Sequence, residues 1–116
     1  MINRSSERSK VTMAALEGTQ RHLKSLDEIP ALVSGYRLMG DPTRFKILLC
    51  LAHARELCVS DIADILKMDT SAISHQLRKL KDGGLVKNNR EGATIYYAIE
   101  KEVVREVIAT ARSLLL

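Results

Sequence analysis

SAISHQLRKLKDGGLV, residues 71–86, places two serines, a histidine and a basic cluster in front of a double glycine. Advancing roughly 100° per residue, Ser71, Ser74, His75 and Arg78 fall on one arc, the i, i+3, i+4, i+7 spacing of a single helix face. Ile73, Leu77 and Leu80 fall on the opposite arc. The stretch therefore reads as a helix that buries one side and presents hydroxyls, an imidazole and a guanidinium on the other. Gly83-Gly84 ends it.

Upstream, SDIADILKM (60–68) is a short helix with Ser60 as N-cap and Ile62, Ile65 and Leu66 turned inward. A turn over Lys67–Thr70 joins the two helices. Before them, ELCV (56–59) is a short extended stretch, and GDPTRFKILLCLAHA (40–54) is a helix. Gly40 closes the element in front of it, Asp41 serves as its cap, and Pro42 suits its first turn. Further back a helical pattern runs to about residue 40, with Ile29, Leu32, Val33, Tyr36 and Met39 at helical spacing. Pro30 belongs in a first turn, which sets a break or a helix start near Asp27.

Downstream the period changes. LVKNNREGATIYYAI (85–99) contains two extended runs, 85–90 and 93–99, joined at Glu91-Gly92, and alternation through Thr94, Ile95, Tyr96 and Tyr97 marks a β-hairpin. From Glu100 the helical period returns, and Val103, Val104, Val107, Ile108, Ala111, Leu114 and Leu115 make one apolar stripe. Residues 1–10 are polar and uncapped and read as a mobile tail ahead of one domain over 11–116.

The order of elements is that of a mainly α protein with a small β-hairpin, a winged helix-turn-helix. The turn over 66–70 has the helix-turn-helix length, and in that geometry the second helix enters the major groove of double-stranded DNA. Ser71, Ser74 and His75 then face base edges, and Arg78 reaches a phosphate or a guanine. Charge agrees with this placement. Residues 67–92 carry six Lys or Arg against three Asp or Glu, whereas residues 26–66 carry four against six.

Composition excludes several alternatives. At 116 residues, 46% hydrophobic and 28% charged, the chain is one ordinary globular domain. No apolar run approaches the roughly 18 residues of a membrane span, and MINRSSERSK has no signal-peptide core. Two cysteines, Cys50 and Cys58, without an export signal imply reduced thiols and a cytoplasmic protein. No nucleophile elbow, phosphate loop or paired-histidine zinc motif is present, so an enzyme is not expected. Four aromatic residues offer no stacking platform for RNA. A winged helix that binds only proteins would lack the polar arc and the basic hairpin.

GDPTRFKILLCL, ELCVSDIADIL, SAISHQLRKLKDGGLV and REGATIYYAI together resemble the ArsR/SmtB family of repressors over roughly residues 33–112. The resemblance implies a homodimer that binds an operator and leaves it when an effector, often a metal ion, binds. It also implies DNA contacts at Thr70, Ser71, Ser74, His75 and Gln76, with Arg90 in the wing. Independently, the apolar stripes of the first and last helices exceed what one small domain needs, which points to dimerisation through those helices.

The effector is less defined. Where family members resemble Cys-Val-Cys-Asp, this chain reads Cys58-Val59-Ser60-Asp61, without the second thiol. A related arrangement adds residues of an N-terminal arm, where His22 is the candidate beside Cys58 and Asp61. The family's Asp-x-His pair in the last helix is replaced by Lys101 and Val103. Cys58, Asp61 and His22 are thus the candidate ligands for a divalent metal such as zinc. The alternative effector is a thiol-reactive or sulfur species, and Cys58 also fits as a small apolar residue of the core.

Overall fold

The structure, a computed structural model, describes residues 9–116; the tail expected over residues 1–10 lies, apart from Ser9 and Lys10, outside the described residues. The elements are α1 (Met13–Ser25), α2 (Ile29–Met39), α3 (Pro42–Ala54), β1 (Glu56–Cys58), α4 (Val59–Leu66), α5 (Thr70–Asp82), β2 (Val86–Glu91), β3 (Thr94–Ile99) and α6 (Glu102–Leu115). The chain divides into two compact units, one ending at Leu32 and the other spanning Val33–Leu116.

In the first unit, Thr12 caps α1 by accepting from the Ala15 N–H at 3.1 Å, and α1 buries none of its residues. The helix breaks before Ile29, as Pro30 requires; α2 starts in this unit, continues past Leu32 in the other, and buries none of its residues.

The second unit holds the core. Ile47, Leu48 and Leu51 of α3, Ile62 of α4, and Ile73, Leu77 and Leu80 of α5 are fully buried. Each such side chain is worth roughly 1.5–3 kcal/mol relative to exposure. Val86, Ile99, Val104 and Ile108 complete the cluster from the sheet and from α6. Asp41 caps α3 by accepting from the Arg44 N–H at 3.1 Å, with Pro42 in the first turn. Gly83 ends α5 beneath the Leu38 side chain of α2, and any Cβ there would collide with that leucine.

The sheet has three antiparallel strands in the order β1-β3-β2, so the hairpin gains a partner in the short ELC strand. Glu56 faces Ala98, Leu57 faces Tyr97 and Cys58 faces Tyr96. In the hairpin Glu91 pairs with Thr94 around a Gly92-Ala93 turn, one residue later than the spacing predicts. Gly92 sits at φ 65°, the conformation that two-residue hairpin turns demand.

Three local expectations are corrected. The N-cap of α4 is Cys58, not Ser60: pairing with β3 holds Cys58 extended, and Asp61 at the third helical position accepts its N–H at 3.1 Å. Ile65 is 54% exposed, because α4 turns Ile62, Ala63 and Leu66 to the core and Ile65 lies roughly 100° from Leu66. The stripe of α6 is divided. Val104 and Ile108 are buried, Val107 and Ala111 are half-buried, and Val103, Leu114 and Leu115 are exposed. Among the described residues no helix is long and apolar enough to cross a membrane.

Candidate nucleic-acid interface

The elbow between α4 and α5 is set by Lys67, whose left-handed conformation (φ 56°) closes α4 with its N–H on the Ala63 carbonyl. After Asp69, the chain enters α5 at Thr70. With Ile73, Leu77 and Leu80 all in the core, the roll of α5 is fixed and its opposite arc is free. Ser71, His75 and Arg78 are exposed on it and Ser74 is half-buried, while Thr70 is exposed at the start of the helix. The arc expected from the helical spacing is therefore assembled.

Gln76 lies on the flank of this helix, half-buried, where its Oε1 accepts from Arg44 Nη1 at 2.9 Å. The same guanidinium donates through Nε to the Leu38 carbonyl at 2.7 Å. Arg90 is exposed on β2 opposite Ile95, one pair from the end of the ladder. Between α5 and the hairpin opens a cleft of about 440 Å³, walled by Ser74, Arg78, Lys81, Asp82, Asn88 and Tyr97. Its cations outnumber its single carboxylate, and it joins the two elements that would touch a duplex. Arg44, Lys81 and Asn88 are absent from the set inferred from sequence. The helical wheel puts Lys81 near the edge of the polar arc, whereas only tertiary contact brings Asn88 to the cleft and Arg44 to Gln76.

Cys58 and Asp61 meet at the start of α4. The Cys58 N–H, and after it the Cys58 thiol, hold the Asp61 carboxyl below the usual carboxylate range. Cys58 Sγ also lies 3.2 Å from Ser60 Oγ. His22 is exposed on α1, in the other unit. Among the described residues no three His, Cys, Asp or Glu side chains converge as ligands. Two donors, one already engaged by a backbone N–H, do not fit the roughly four that a divalent metal site needs. Cys50 is half-buried on α3, and that burial pushes its thiol up.

Residues 41–88 match the family of bacterial regulatory proteins described as arsR. The chain is 38% identical over 76 residues to a cadmium resistance transcriptional regulatory protein CadC homolog of Staphylococcus aureus, covering 66% of this chain and 63% of that one. It is 36% identical over 89 residues to a transcriptional repressor SmtB homolog of Synechocystis, covering 77% of this chain and 67% of that one. Its fold also matches a homodimeric winged helix-turn-helix DNA-binding domain of Mycobacterium bovis, with a TM-score of 0.69 and 32% identity over 81% of this chain and 83% of the other. The matched stretch thus spans less than two thirds of the staphylococcal relative's length. With the winged helix-turn-helix architecture and these similarities together, the chain belongs to the arsR family of bacterial regulatory proteins.

Proposed function

We propose that the protein is a transcriptional repressor of the cytoplasm that binds a double-stranded operator as a homodimer and is released by an effector. The observation that carries this reading is the free polar arc of α5, held outward by Ile73, Leu77 and Leu80 in the core. Ser71, Ser74 and His75 meet base edges, Thr70 meets a phosphate at the helix start, and Arg78 reaches a guanine or a phosphate. Gln76 contributes from the flank, and Arg90 holds the backbone or minor groove from the hairpin. The cleft between α5 and the hairpin has the size and charge to seat a backbone phosphate.

Dimerisation is supported by apolar surface that the protomer leaves uncovered. Tyr36 of α2 and Val103 and Val107 of α6 line one open groove of about 350 Å³. The homodimeric domain of Mycobacterium bovis supports the same assembly. The relative named for cadmium resistance supports a divalent cation as effector. Cys58 and Asp61 are the donors this chain would bring to such an ion, with His22 as the arm candidate. Because that set is incomplete within one chain, no step of release is assigned to a metal.

The test is enrichment from a randomised duplex library by the full chain, followed by titration on the enriched duplex and a scrambled copy. One palindromic sequence should emerge, bound by two chains. Enrichment of no sequence would overturn the proposal.

A further inference from the structure

Gln76 differs from the rest of the expected contact set in that another side chain already holds it. Arginine has no acceptor, so the amide end facing Arg44 is the oxygen and the NH₂ points away. The guanidinium that holds it donates as well to the Leu38 carbonyl at 2.7 Å and to the Arg37 carbonyl at 3.5 Å. Both carbonyls lie in the last turn of α2, where intrahelical donors run out. One planar fork therefore rises from the first turn of α3, closes the end of α2 and grips a side chain of α5. A lysine, as a single point charge, cannot serve three acceptors in these fixed directions.

We propose that Arg44 is a positioning residue for DNA reading that fixes which way the Gln76 amide faces. Gln76 then offers its amide N–H to an acceptor of the duplex, a base atom or a phosphate oxygen. This inference rests on the DNA-reading role of α5 proposed above.

The experiment compares the full chain with Arg44→Lys, Gln76→Ala and the double variant, by duplex enrichment and by titration on the wild-type site. Each single substitution should weaken binding to that site about tenfold, the scale of one hydrogen bond to the duplex. The double variant should lose no more than the larger single loss, because both changes remove one linkage. Gln76→Ala leaves the Arg44 contacts to α2 in place, so it remains informative if Arg44→Lys unfolds. In Arg44→Lys the freed amide can turn over, so the base preference should relax at one position if its partner is a base. A loss even across positions identifies a phosphate partner instead. Additive losses, or an Arg44→Lys protein with unchanged affinity and preference, overturn the assignment alone. A wild-type chain that enriches no sequence overturns the DNA reading itself, and the assignment falls with it.

Discussion

Two helices of nearly equal length use the same amphipathic pattern to different ends. In α5 the three large apolar residues Ile73, Leu77 and Leu80 are all fully buried, and apart from half-buried Ala72 what remains outside is polar. In α6 Val104 and Ile108 suffice for the core, while Val103 is 54% exposed and Leu114 and Leu115 are each 79% exposed. A helix whose apolar residues match the core leaves a face suited to hydrogen-bond edges. A helix with a surplus leaves surface that water disfavours and that a second apolar face would cover. The difference lies in how many apolar side chains the core has room for, not in the periodicity.

The sharpest way to break this comparison is to truncate one residue on each side of it. Leu77→Ala should cost roughly 2–5 kcal/mol in denaturant unfolding. Leu114→Ala should stay within about 0.5 kcal/mol for the protomer. Equal losses would show that α6 is no less committed to the core than α5. Next, Val103→Glu charges the surplus face at an exposed position. It should shift sedimentation to monomers and weaken operator binding about a hundredfold, near 3 kcal/mol; a dimer that persists would remove α6 from the interface.

On the polar side, His75→Ala should cost about 1–3 kcal/mol on the operator and far less on scrambled DNA. Arg90→Ala should weaken both alike and make the salt dependence shallower by about one unit per subunit. Titrations at several salt concentrations distinguish them, and reversed behaviour would mean that helix and hairpin exchange roles. The smallest effect belongs to Asp61. Its depressed carboxyl pKa means that its contribution to stability is full above about pH 3.9, the unfolded value, and is lost as pH falls through the folded one. Asp61→Asn should therefore melt slightly below the wild type at neutral pH, with the two Tm curves meeting in acid. Parallel curves at every pH would show that the capping bond carries no charge dependence.

The helices, the elbow and the hairpin were legible because each is written in local periodicity and punctuation. Pro42 and Gly83 mark boundaries that the structure keeps. What local rules missed was decided by pairing across the chain. Ser60 is the better N-cap by propensity, yet the ladder between β1 and β3 extends Cys58 and moves the cap back two residues. ELC reads as extended from sequence, but three residues are too few to show that it pairs with β3. The arc of Ser71, Ser74, His75 and Arg78 follows from helical spacing alone. The hold of Arg44 on Gln76 crosses 32 positions and has no signature short of the folded chain.

The joint at Cys58 has a mechanical meaning. β1 passes into α4 without an intervening residue, and β3 is laddered to β1 on one side and β2 on the other. The hairpin is thus a lever whose fulcrum is the N-cap of the helix that leads into the elbow. A tilt of α4 cannot be absorbed by a slack loop between them. It is passed to the sheet at Cys58 and to α5 through the elbow at Lys67.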